Sequence, residues 1–259
     1  MLSSYSWLPS ERKWIDVVSE DLLVGERVLV RSLPRWGVTS LFRHIAIELG
    51  DSAVYLDAGA VDENSQKDFR TQVQEEVLRR VEDHGCAQLI LDNYGRALRR
   101  SQGGALHSML YALLVDSPRA ADIGALLGAR FSDLLDLRFS GSPLISRTIS
   151  RPLPVLAVDD AEVLGYPLCE LVEQFGESTS LARKKLKLTD RELRASMFDA
   201  LRADRSRLVT ALPPDARRLL AGDVRNNSLD AVSEEALRCI GNFDADGAFT
   251  ISRCLLYTS

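Results

Sequence analysis

The chain has 259 residues, 46% of them hydrophobic and 27% charged, and a formal net charge of −5. That length holds one large domain with a smaller one beside it, and the composition is that of an ordinary soluble globular protein. The acidic balance argues against a surface coated in positive charge, and no apolar run approaches the ~18 residues of a membrane span.

In chain order, Arg27–Ser32 is a short β-branched run after Gly25 and predicts a buried strand. From Thr39 to Leu49, Leu41, Phe42, Ile45, Ala46 and Leu49 fall on one helical face. Ser52–Asp57 predicts a second strand, and the four-residue spacing of Phe69, Val73, Val77 and Val81 a second helix. Ala87–Asp92 is a third strand, 104–115 a helix, Ile123–Gly128 a fourth strand and Leu153–Ala157 the end of a fifth. Strands separated by helices imply a parallel sheet covered on both faces, because parallel neighbours need long crossovers. Ligands of such sheets bind outside the carboxyl ends of the strands.

Beyond about residue 158 the strands stop. Asp159–Gly176 is helical in pattern, and Ser178–Arg207 is charged and helix-prone, with the basic run Arg183–Lys187. Leu212–Leu220 and Ser228–Ile240 predict two more helices, the second with Leu229, Val232, Ala236, Leu237 and Ile240 inward. Asp246-Gly247 sits between apolar residues as a hairpin signal, which completes the outline of a winged helix. The expected domains are 1–158 (α/β, parallel five-stranded), 159–207 (helical lid or linker) and 208–253 (winged-helix-like). Residues 254–259, CLLYTS, look like a translated sequencing adaptor, so the natural chain is expected to continue past Arg253. The opening MLSSYSWLPSERKW lacks the pattern of a secretory signal, and the four cysteines lack metal-ligand spacing. A cytoplasmic protein with reduced thiols is expected. His44, His84 and His107 are scattered, as core or surface histidines are.

The junction of the first strand and its helix, Ser32-Leu-Pro-Arg-Trp-Gly-Val-Thr-Ser40, lies where a phosphate-binding loop reads G-x-x-x-x-G-K-[ST]. Gly37 and Thr39 hold the right offsets, with Ser32 in place of the first glycine and Val38 in place of the lysine. By itself the match is weak, since Gly37 also suits a plain strand-to-helix turn. Cys86–Asp92 has the form of a Walker B strand whose aspartate faces magnesium. Asn93 follows, where a glutamate would polarise the attacking water. Gly128–Ser132 ends the next strand with Arg130 or Ser132 as a candidate sensor, and Ser142–Arg147 precedes the fifth strand.

In that order these segments resemble the archaeal-type ATPase branch of the STAND and AAA+ P-loop NTPases, whose loop runs Gly-Pro-Arg-x-x-Gly-Lys-Thr-Ser-Leu. Pro34-Arg35-Trp36-Gly37-Val38-Thr39-Ser40-Leu41 follows it apart from the lysine, and Gly165-Tyr-Pro-Leu168 is similar to the element that opens the family's helical lid. The resemblance implies a regulatory module binding ATP or another NTP with Mg²⁺. Ser32, Pro34, Arg35, Trp36, Gly37, Val38, Thr39 and Ser40 would form the cradle, Thr39 and Asp92 would stand by the metal, Asp92 and Asn93 would hold the catalytic positions, and Arg130 and Arg147 would sense the γ-phosphate. Val38 keeps the backbone amides but removes a cation. Charge-assisted hydrogen bonds contribute roughly 1.5–3 kcal/mol each, about ten- to a hundredfold in affinity. The loss in a phosphoryl-transfer transition state is larger. Asn93 cannot serve as a general base, so little or no hydrolysis is expected. Packing is the favoured role of Trp36, ahead of base stacking. The alternatives are an active ATPase with a displaced cation, for which Arg35 is a disfavoured substitute, and a DNA-binding regulator using the winged helix and Arg183–Lys187. Protein partners or further domains of the same chain are also expected.

Overall fold

The computed structural model describes residues 7–33, 36–61, 66–99, 103–131, 143–175, 179–180, 182–183, 212–221, 229–238, 241–243 and 249–251. They fall into two compact units, one formed from Ile15–Ser32 with Gly37–Leu153 and the other from the described residues outside those spans. Among the described residues no helix is long and apolar enough to cross a membrane.

The first unit is a parallel sheet with its connecting helices. After helix α1 (Pro9–Leu23), whose first residues to Trp14 count with the second unit, come β1 (Arg27–Ser32), α2 (Val38–Leu49), β2 (Ala53–Asp57), α3 (Gln66–His84), β3 (Ala87–Asp92), α4 (Tyr94–Leu98), α5 (Gly103–Tyr111), β4 (Ile123–Arg130), α6 (Pro143–Ser146) and β5 (Ile149–Ser150). The strand order is β2-β3-β4-β1-β5, every neighbour parallel. Thus β4 lies between β1 and β3. The register pairs Ser32 with Arg130, Leu91 with Leu127 and Asp57 with Asp92, so these strands finish along one edge of the sheet. All six residues of β3 are buried, as a strand covered on both faces requires. The predicted helical stripe Phe69, Val73, Val77 and Val81 is buried, while Glu76, Arg79 and Asp83 pair on the outer face of α3.

The predicted fifth strand is corrected. β5 is Ile149–Ser150, pairing with Val28 and Leu29, and its ladder ends with the Arg151 amide donating to the Leu29 carbonyl at 3.1 Å. Pro152 and Pro154 have no N–H, so Leu153–Ala157 cannot continue the ladder. Helices α1 and α4 are not among the predicted elements. The predicted helix over 104–115 instead opens into a wider turn at Ala112–Asp116. Between α4 and α5 the buried Tyr94 phenol lies 2.6 Å from His107 Nδ1. Burial raises Tyr94 and lowers His107, so near neutrality the phenol keeps its proton and the imidazole accepts it.

In the second unit the predicted helix over 159–176 is two helices, α7 (Val158–Leu164) and α8 (Leu168–Phe175). Gly165, at φ 73°, closes α7 by donating to the carbonyls of Ala161 and Glu162, and Pro167 starts the next helix. Farther on are α9 (Pro214–Leu220), with Pro at its first turn, and α10 (Ala231–Arg238), capped by Asp230 Oδ1 on the Ser233 amide. Strands β6 (Gly241–Phe243) and β7 (Phe249–Ile251) pair antiparallel. The predicted turn Asp246-Gly247 lies outside the described residues.

Two buried acids organise the start of this unit. Asp160 accepts the amides of Ser10 and Ala157, so one carboxylate serves the first turns of both α1 and α7. Glu11 accepts the Leu8 amide and meets Arg183 Nε at 2.8 Å, with the guanidinium 4.5 Å from the Trp7 ring centre. Arg183 is therefore withdrawn from the basic run expected to touch DNA: 3% exposed, its charge is answered inside the protein. Lys184, Lys185 and Lys187 lie outside the described residues.

Breaking one side of a buried pair strands the other charge. Arg183→Met is expected to destabilise this unit by about 3 kcal/mol, and Glu11→Gln in the same chain to recover part of the loss. Urea unfolding followed by tryptophan fluorescence checks this. For His107, the folded pKa lies below the unfolded one, so the unfolded chain takes up its proton first on acidification. Its contribution is fully present above roughly pH 6.5 and falls as pH drops toward the folded value. Unfolding at pH 7.5 and 5.5 should show a smaller acid-induced loss in His107→Gln than in the parent.

Candidate functional site

The candidate residues of the first unit gather at the carboxyl edge of its sheet. Ser32 ends β1, Arg130 ends β4 and Asp92 ends β3. Gly37 is the N-cap of α2 at φ 83°, a left-handed conformation that a Cβ disfavours. Val38, Thr39 and Ser40 form the first turn of α2. That turn has no side-chain cap, and the Ser40 amide bonds the Gly37 carbonyl at 3.0 Å. A helix start of this kind carries partial positive charge and outward N–H groups.

Asp92 is 3% exposed, and its carboxylate is tied from several directions. Oδ2 accepts the Thr39 hydroxyl at 2.6 Å and the Tyr55 hydroxyl at 3.2 Å, while Oδ1 accepts the Asn93 amide at 2.8 Å. Tyr55, on β2, in turn accepts Arg43 Nε at 3.3 Å, with the guanidinium 5.7 Å from its ring centre. Burial, and next to it the nearby Asp92 charge, raise the Tyr55 phenol against the pull of Arg43, so the hydroxyl stays a donor. The sequence reading missed both residues. The one signal available was the position of Tyr55 two residues before the end of β2, on the same face as Asp57.

Asn93 adopts φ 54° and caps α4. Its side-chain amide donates to Asp57 Oδ1 at 2.9 Å, and that oxygen also accepts the Gly59 amide at 2.9 Å. The amide therefore ties the end of β3 to the loop after β2. A glutamate there would set a second carboxylate against Asp57 instead.

The other candidates are less closely joined. Arg130 is half-buried at the strand edge and Arg147 is exposed after α6. Trp36 is 3% exposed, which removes its indole from stacking on a base. Pro34, Arg35, Ser132 and Ser142 lie outside the described residues. Among the described residues no group of three or more His, Cys, Asp or Glu is arranged to hold a metal ion.

With the topology in view, solved structures supply a comparison. The Walker-type ATPase of Pyrococcus abyssi superposes with a TM-score of 0.53 at 15% identity, over 96% of this chain and 93% of that one. The RuvB Holliday junction branch migration motor of Thermotoga maritima gives 0.44 at 18% identity, over 94% and 91%, and the Aeropyrum pernix ORC1 protein in complex with DNA gives 0.45 at 16%, over 91% and 78%. The chain has a P-loop NTPase fold. No family model and no curated protein matches its sequence.

The Asn93–Asp57 bond has a measurable consequence. Asn93→Glu should lower stability by about 1–2 kcal/mol, through repulsion and through a long side chain in a left-handed conformation. Adding Asp57→Asn should restore a good part of it, a coupling read from a double-mutant cycle in urea. Additive effects of the two changes would mean that residues 57 and 93 do not interact.

Proposed function

We propose that this chain is an ATP-binding regulatory module with little or no hydrolysis, and the Thr39–Asp92 contact is the observation that carries the reading. A hydroxyl at the second position of α2 and the last carboxylate of β3 stand 2.6 Å apart, although 53 residues separate them in sequence. That pairing suits a nucleotide with its divalent cation. Thr39 gives its proton to Asp92, which leaves the hydroxyl lone pairs to face Mg²⁺, and Asp92 Oδ1 has capacity beyond the Asn93 amide. When bound, the ion would screen the phosphate charge beside an acidic strand edge. The amides at the start of α2, with Ser32, Gly37 and Ser40, would cradle the phosphates. Arg130 and Arg147 would sense the γ-phosphate.

Two substitutions limit the chemistry. Val38 puts an isopropyl group where a P-loop places its ammonium, so the site binds weakly and stabilises a transition state less. Asn93 has an amide where a base would be needed, and that amide is already engaged with Asp57. Binding without turnover suits a switch, in which nucleotide occupancy is reported by other parts of the protein. Residues 159–207 would be the lid and 208–253 a winged helix used for packing, with protein partners or further domains reading the state. The buried position of Arg183 weighs against DNA as the principal ligand.

Calorimetry with ATP and Mg²⁺ should give saturable binding by the parent, tightened about ten- to a hundredfold in Val38→Lys. Chelating the metal should weaken both. Absence of binding in both proteins would overturn the nucleotide reading.

A further inference from the structure

We infer that Arg43 is the phosphate-charge cation of this site, taking over from one turn down α2 the role that Val38 cannot fill; this rests on the nucleotide reading above. The site has an electrostatic shortfall. Asp57 and Asp92 end neighbouring strands there, Val38 adds no charge, and a nucleotide would bring several more negative charges to the same edge. A helix start supplies only about half an elementary charge. Beyond the Mg²⁺ and the Arg130 and Arg147 sensors proposed above, a cation from α2 itself would strengthen binding where Val38 supplies none.

Arg43 stands in the right place. It lies four residues after Thr39, on the same face of α2, and long side chains on helices lean back toward the N-terminus, here the phosphate end. Its guanidinium is exposed and is held at the site by Tyr55, whose hydroxyl passes the connection on to Asp92 Oδ2. The chain Arg43–Tyr55–Asp92–Thr39 therefore runs unbroken from an exposed cation to the hydroxyl assigned to the metal. The anchoring bond, 3.3 Å to a neutral phenol, is easily exchanged. A phosphate oxygen is a better acceptor, since charged hydrogen bonds are about twice as strong and the planar fork engages two oxygens at once. Tyr55 would thus hold Arg43 beside the carboxylate edge and yield it to the terminal phosphate.

The test uses the full chain and calorimetry with ATP, ADP and AMP in the presence of Mg²⁺. The variants are Arg43→Gln, which keeps a donor for Tyr55 without the charge, and Arg43→Lys, which keeps the charge. Arg43 is exposed, so both should unfold within a few degrees of the parent. The expected result is an ATP affinity weakened about tenfold or more in Arg43→Gln, with ADP changed less, AMP least, and a smaller loss in Arg43→Lys, which keeps the charge without the fork. If the parent binds ATP and Arg43→Gln binds it equally well, Arg43 is not the cation. Equal losses for all three nucleotides would also overturn the inference, since they would mark a general effect on the site. A parent that binds no nucleotide would overturn the nucleotide reading itself, and this inference with it.

Discussion

A charge buried at the end of a strand has few ways to be tolerated, and the carboxylate of Asp92 is such a charge. Left unpaired it would cost several kcal/mol. Here it accepts from Thr39 on α2, Tyr55 on β2 and its own neighbour Asn93, so three separate segments converge on two oxygens. Strand order makes this demanding, because β4 separates β1 from β3. The helix that follows β1 has to lean across β4 for its second residue to reach the end of β3. The Thr39–Asp92 bond therefore sets where the first turn of α2 points, and with it the direction of the amides that would meet a phosphate.

Around that carboxylate the neighbouring side chains are Thr39, Tyr55 and Asn93. Asn93 has acquired a use of its own, since its amide holds Asp57 and the loop beyond β2. Its left-handed backbone is one that asparagine tolerates better than glutamate would. The Asn93 amide is thus engaged within the protein. Arg43 and Tyr55 extend the same network to the β2 side, where positive charge re-enters it.

Different physics governs the second unit. Asp160 and Glu11 are both fully buried, one shared between two helix starts and the other paired with Arg183. Such acids favour a specific arrangement over a looser apolar one, because any other packing leaves them unpaired. Their partners lie far away in the chain, which is why Arg183 looked like part of a solvated basic run.

The sequence by itself determined β1 to β4 and the helices α2 and α3, since buried parallel strands are short continuous apolar runs and α2 and α3 carry a 3.6-residue stripe. It also pointed to Thr39 and Asp92 as neighbours, through the offsets of Gly37 and Thr39 and an apolar strand ending in aspartate, and the two are hydrogen-bonded. Proline explains why the fifth strand ends earlier than its apolar residues suggest, a local rule that hydrophobicity outweighed in the reading. Only the tertiary structure decided the partners of Tyr55, Arg43, Asn93 and Arg183. Each acquires its place through a hydrogen bond or ion pair to a residue outside its own segment. Spacing along a chain records which face of an element is apolar. It does not record which polar atom from another element arrives opposite, because that depends on strand order and register.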